Sequence, residues 1–195
     1  MLLIWGITQD VSAQDLSANP KVVHQERHTL ALDMANSVLA IISDPSTPKK
    51  DREYALQQGF ANVVDMDWIA KFVLGASWRN ATDEQKAEYT KLYRAYLTKI
   101  YVSHYAGSPD TKIKSIKVLG IKDDERDFTA FTEITLSNND RLKVDYLVSE
   151  RADGYKITDV IIQGVSLLNS HRAEFSALAA SKGVTGVIAR LEQLV

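Results

Sequence analysis

Few side chains in this 195-residue chain stand where they could make or break bonds. Asp145 and Asp159 interrupt otherwise apolar stretches, Val144-Asp145-Tyr146 and Thr158-Asp159-Val160. A carboxylate held away from water is a stronger base, so either could take a proton from an apolar substrate. The competing reading is a carboxylate that faces outward to a Lys or Arg, or accepts backbone amides. Strand alternation sets Asp145 opposite Val144 and Tyr146 and favours that reading. His24 and His28, four apart, could share a helix face as a metal pair, but no clear third ligand accompanies them. Cysteine is absent, which excludes disulfides, thiolate catalysis and Cys-ligated metals. Gly164-Val165-Ser166-Leu167 lacks the second glycine of a nucleophile elbow, and there is no Gly-rich phosphate loop. No catalytic or metal-binding residue is assigned.

The tyrosines offer a different chemistry. Tyr89, Tyr93, Tyr96 and Tyr101 lie in one helical stripe, and Tyr105 follows just beyond. A buried phenol must find a hydrogen-bond partner, so a core stripe favours Leu, Ile and Val. Tyrosine suits the mouth of a pocket, where the ring is dry and the hydroxyl wet. The alternative is that these rings simply pack on a sheet.

The elements that must position these residues follow from hydrophobic period. Leu30, Met34, Val38, Ile41 and Ile42 predict a helix over His28–Ser43, stopped by Asp44-Pro45-Ser46-Thr47-Pro48. A short helix is expected over Asp51–Gln58 with Gly59 as its C-cap, and another over Asp65–Leu74 ending at Gly75. Thr82 and Gln85 form a capping box that opens the longest stripe, Tyr89 to His104, which Gly107-Ser108-Pro109 ends. The period then becomes two, predicting strands near Ile113–Ile121, Asp127–Leu136, Arg141–Ser149 and Tyr155–Gln163, joined by short polar turns. Val165 and Leu167 are read as continuing the fourth strand. Helices near Ser170–Ser181 and Val184–Leu194 close the chain, with Asn169 or Ser170 as the cap. Arg172 then lies in a first helical turn, where the dipole disfavours a cation. It calls for a partner, a carboxylate such as Glu174 or Asp159 or the phosphate of a bound ligand, or else it stands without one. The class is α+β, a curved antiparallel sheet of about four strands with helices packed on one face, an NTF2-like cone.

Composition bounds the function. Lys plus Arg number 23 and Asp plus Glu 25, a net charge of −2 with no basic block, so nucleic-acid binding has no electrostatic footing. No uncharged apolar run approaches the ~20 residues that span a bilayer. Leu2–Ile7 is apolar, and Val11-Ser12-Ala13 resembles a signal-peptidase site. A secretory signal also needs a positive start and a longer apolar stretch, and the first lysine is Lys21, so residues 1–13 are read either as the remnant of a clipped signal peptide or as a chance apolar tip, with 14–195 as one domain.

Three motifs carry a family resemblance. They are Val73-Leu74-Gly75-Ala76-Ser77-Trp78-Arg79-Asn80-Ala81-Thr82; Val144-Asp145-Tyr146; and Tyr155 to Leu167 with Asn169, Arg172 and Phe175. Together they resemble the MlaC (toluene-tolerance) family over roughly Asn62 to Val195. His171 stands where that family commonly has Tyr, Tyr155 where it has Trp, Gln163 where it has Glu and Glu174 where it has Gln. A hopanoid-associated branch shares the fold. The resemblance implies a periplasmic carrier that holds phospholipid acyl chains in an apolar pocket. It also implies docking to an outer-membrane lipoprotein complex and to an inner-membrane ABC-transporter complex, in a system that maintains outer-membrane lipid asymmetry. The lipid is cargo, and no cofactor is expected. The competing function is a small enzyme of the same fold class, an isomerase or hydratase acting on an apolar substrate.

With the helical stripe set against the even-numbered face of the third and fourth strands, the expected lipid-binding residues are Val73, Tyr93, Leu97 and Tyr101 from helices and Val144, Tyr146, Val160 and Ile162 from the sheet. Leu74, Trp78 and Leu167 join them from the motifs. Burying an acyl chain of about 16 carbons is worth roughly 12 kcal/mol against water, at ~0.8 kcal/mol per methylene. A carrier that takes lipid from a bilayer needs only to match that bilayer.

Overall fold

A computed structural model describes residues 20–43, 48–106 and 113–195. The signal-peptide segment, the Asp44–Thr47 breaker and the Gly107-Ser108-Pro109 stop lie outside the described residues. The first helix, α1 (Pro20–Ser43), begins earlier than its apolar stripe predicts. It is followed by α2 (Lys49–Val63), α3 (Met66–Leu74), α4 (Ala76–Asn80) and α5 (Asp83–Ala106). Gly59 does not cap α2. The helix runs through it to Val63, so that Phe60 and Val63 reach the interior.

The local signals at α3 and α5 act as read. Asp65 caps α3 by accepting the Trp68 N–H at 3.1 Å. The helix ends at Gly75, whose φ of 60° a residue with a side chain rarely adopts. The capping box closes reciprocally. The Thr82 hydroxyl accepts the Gln85 N–H at 3.2 Å, and the Gln85 side-chain oxygen accepts the Thr82 N–H at 3.1 Å.

The sheet is an antiparallel meander of five strands in sequential order: β1 (Ile113–Asp123), β2 (Asp127–Leu136), β3 (Arg141–Arg151), β4 (Gly154–Ile162) and β5 (Val165–Ser166). The fifth strand corrects the expected continuation of the fourth. Gln163 (φ 51°) and Gly164 (φ 82°) reverse the chain, so Val165 pairs back onto Ile162. Two bulges matter for function. One skips Leu119 between Val118 and Gly120, and the other skips Thr158 where Leu147 pairs Asp159 and Val148 pairs Ile157. An extra residue flips side-chain parity. Ile116 and Ile121 therefore share a face, as do Ile157 and Val160. That inner face presents the cross-strand rows Phe128–Val148–Ile157, Ala130–Tyr146–Val160 and Thr132–Val144–Ile162.

The last helix, α6 (Leu167–Leu194), is broken at Gly183, whose φ of 68° and ψ of 177° are not helical, giving the two predicted arms. Its cap is Ser166, whose hydroxyl accepts the Asn169 N–H at 3.0 Å, in place of Asn169 or Ser170. Helices α3, α5 and α6 pack on one another beside β4, while α1 lies across β1 and β2. The core centres on Val73, Leu74, Tyr89, Tyr93, Phe175 and Leu191, all fully buried.

Candidate functional site

The inner face of the sheet is not filled by the helices above it. A cavity of about 380 Å³ lies between it and the pair α1–α2. Helix α1 contributes Leu30, Ala31, Met34, Ala35, Val38 and Ile41, and α2 with its end contributes Leu56, Gly59, Phe60, Val63 and Val64. The sheet contributes Ile116, Phe128, Ala130, Thr132, Tyr146, Val148, Ile157 and Val160. The space exists because facing positions carry small residues: Ala31, Ala35, Gly59 and Ala130. Its polar lining is sparse. The Thr132 hydroxyl is buried and donates to the Val144 carbonyl at 2.6 Å. Asp33 and Ser37 are exposed on α1 and form a polar rim. Such a space suits apolar matter and offers its interior no charge.

Helix α1 is held over the cavity by one buried cation. Arg27, 4% exposed, donates from its guanidinium to the Asp123 carboxylate (3.0 Å), the Tyr155 hydroxyl (3.2 Å) and the carbonyls of Asp124, Glu125 and Asp127 (3.0, 3.3 and 3.1 Å). It also lies 5.6 Å from the ring centres of both Phe128 and Tyr155. One turn earlier, His24 Nδ1 meets the other Asp123 oxygen. Burial would raise the Asp123 pKa, but the bonds from His24 and Arg27 outweigh it and hold the carboxyl below its ordinary value. Burial likewise works against the Arg27 cation, and the bonds to Tyr155 and Asp123 overcome it and raise its pKa. The β1–β2 turn and the start of the cavity wall are thus one unit.

The expected site residues divide. Tyr146 and Val160 line the cavity. Val144 and Ile162 share its face of the sheet one row further along and are not among its lining residues. Val73, Leu74, Tyr93 and Leu97 are buried in the helical core away from it. Trp78 packs edge-on against Tyr89 at 6.4 Å, and Leu167 opens α6. Tyr101 falls in the last turns of α5, where side chains lie outside the described part. The helical stripe therefore packs against other helices, and the cavity belongs to α1 and α2. The sequence carried a signal for it in the Leu30–Met34–Val38–Ile41 stripe.

The buried phenols find the partners that burial demands. Tyr89 donates to the Ala70 carbonyl at 2.9 Å, and burial holds its phenol far above the ordinary range. The Tyr93 hydroxyl meets His171 Nδ1 at 2.9 Å. Burial lowers the His171 pKa, with the charges of Glu174 and Asp159 opposing.

Neither candidate acid lines the large cavity. Asp159 is buried and committed to the start of α6, accepting the Ser166 hydroxyl at 2.6 Å and the Leu168 N–H at 3.0 Å. Asp145 pairs across the sheet with Phe131 and Ile161, on the face opposite the cavity. Burial raises its pKa, and Lys143 opposes the shift. Among the described residues no three of His, Cys, Asp and Glu are grouped to hold a metal ion. Arg172 is not paired with Asp159, whose carboxylate is taken by Ser166 and Leu168. Its guanidinium lies 4.2 Å from the ring centre of Phe72, at the C-terminal end of α3, where a cation is favoured. No described helix is long and apolar enough to cross a membrane.

Compared with known proteins, residues 32–193 match the family described as MlaC protein. No curated protein matches the chain. Among solved structures, a phospholipid-binding protein from Ralstonia solanacearum, determined in complex with a phospholipid, superposes with a TM-score of 0.71. That likeness covers 88% of this chain and 96% of the other at 19% identity, which establishes a shared fold.

Proposed function

The chain belongs to the MlaC family, and we propose that it is a lipid carrier whose cavity between α1, α2 and the sheet holds phospholipid acyl chains. The observation that carries this reading is the cavity itself: predominantly apolar, floored by the sheet, with its charged group at the rim and its one buried hydroxyl, Thr132, already bonded to the Val144 carbonyl. The solved structure of like fold is described as phospholipid-binding and holds a phospholipid, which supports the same reading here.

The volume sets how the cargo sits. About 380 Å³ is near the lower end of the ~300–1,000 Å³ range of ligand sites. It suits one acyl chain. A second chain requires α1 and α2 to move outward, and the clasp at Arg27 makes the β1–β2 turn the fixed end of that movement. The head group remains at the rim, in water. Chains leaving a bilayer are already dry, so loading and unloading are close to balanced and the protein need supply no chemical energy.

As a family member the chain is read as a periplasmic shuttle between an outer-membrane lipoprotein complex and an inner-membrane ABC-transporter complex. It carries no nucleotide-binding loop, so ATP acts on the partner. Asp145 and Asp159 have no catalytic part in this reading, because one lies on the far face of the sheet and the other is taken up by the Ser166 hydroxyl and the Leu168 N–H at the start of α6.

The test is Ala130→Trp, which places an indole in the middle of the floor. Purified variant and wild type are extracted with organic solvent, and the lipid is measured by mass spectrometry. The variant should fold and lose its phospholipid. A folded variant with a full lipid load would remove the cavity from the mechanism.

A further inference from the structure

Next to the large cavity lies a second space of about 20 Å³, lined by Ile69 and Leu97 from the helices, Leu168 and His171 from α6, and Thr158 and Asp159 from β4. Four residues face both spaces: Phe60, Val64, Ile157 and Val160. They form the partition between them.

The four are not equally able to move. Val64, Ile157 and Val160 are β-branched and stiff at χ1. Val64 and Ile157 are also joined as a parallel bridge, with the Asp65 N–H donating to the Ile157 carbonyl at 3.0 Å. Phe60 sits in the last turn of α2, and its ring turns about two side-chain torsions without any change in the backbone. Beyond it the polar groups already have partners. Asp159 is bonded to Ser166 and Leu168, the Thr158 hydroxyl to the Leu147 carbonyl at 3.3 Å, and His171 Nδ1 to Tyr93. An apolar chain end entering this space meets Ile69, Leu97 and Leu168 and breaks none of these bonds.

Resting on the carrier reading, we propose that Phe60 gauges acyl-chain length. The end of a shorter chain stops at its ring, and a longer chain is accepted only when the ring tips aside and joins the two spaces. The ligand class is the end of a long saturated acyl chain, and the smaller space, with room for about one carbon, is the subsite of its terminal methyl group.

The experiment uses the delipidated full-length chain and a series of saturated lysophospholipids of one head group and increasing chain length, with affinity read by displacement of a fluorescent fatty acid. In the wild type, affinity should rise about fourfold per added methylene and level off once the chain end reaches Phe60. In Phe60→Ala the levelling should move to longer chains, and in Phe60→Trp to shorter ones. Adding Leu168→Phe to Phe60→Ala fills the smaller space and should bring the plateau back. A plateau at the same chain length in all three folded proteins would overturn the gauge, as would a Phe60→Ala plateau that Leu168→Phe leaves in place. Wild type that binds no member of the series would instead overturn the carrier reading.

Discussion

Replacing Arg27 by Met would keep an apolar stem of similar length and remove only the guanidinium. The change strands the Asp123 carboxylate and the carbonyls of Asp124, Glu125 and Asp127, all of which Arg27 now holds. Breaking a fully buried ion pair costs ~3–5 kcal/mol. Here the Asp123 side chain is 33% exposed, and water can reach part of what is stranded, so about 3 kcal/mol is expected. For a chain of this size that corresponds to a fall of about 6–12 °C in Tm. His24→Ala is the control, since His24 is half exposed and such a pair is worth ~0–1 kcal/mol. The assay is thermal unfolding by circular dichroism, with lipid content measured on the same samples below the transition. Arg27→Met should also lose lipid at temperatures where it remains folded, because α1 is the wall the clasp secures. A Tm within about 2 °C of wild type, or a greater loss in His24→Ala than in Arg27→Met, would refute the clasp.

Two further outcomes follow from buried charge. The lowered pKa of His171 means that the unfolded chain binds the extra proton first as pH falls below the ordinary histidine value of 6.5. Stability should therefore be flat above that value and decline below it until the native pKa is reached; His171→Phe should lose that slope, as followed by urea unfolding across the range. Asp145 has a raised native pKa, so its ionised form weighs against the fold at neutral pH. Asp145→Asn should unfold at the same temperature or higher and keep its lipid, and a loss of either would show that the carboxylate has a role this account omits.

Signals that act within a few residues were legible. The Thr82–Gln85 box, the Gly75 stop and the alternation of β2 each depend on neighbours that the chain places side by side. Periodicity also showed that the Tyr89–Tyr93–Leu97 stripe is buried, but it does not say against what. The stripe meets α6 and α3, where Tyr89 and Tyr93 find Ala70 and His171, and that side is packed except for the small space at Leu97. The bulge at Thr158 was hidden because it inserts one residue without a glycine or proline to mark it, whereas the bulge at Leu119 has a mark in Gly120 that the strand alternation passed over; each reverses which residues face inward. The reversal at Gln163–Gly164 was missed because one of its two left-handed residues is a glutamine. Arg27 gave no local sign at all. Its partners lie in a hairpin turn and a strand far along the chain, and only the packed fold brings them within reach.

The central claim is that the space between α1, α2 and the sheet carries phospholipid. It is tested most directly by purifying the wild-type chain from cells, transferring it to the gas phase by native mass spectrometry, and identifying what is released on activation. The account predicts a bound species with the mass of a phospholipid, about one per chain, absent from Ala130→Trp prepared in parallel. A folded wild-type protein that carries no lipid, and takes none up from phospholipid vesicles, would contradict it.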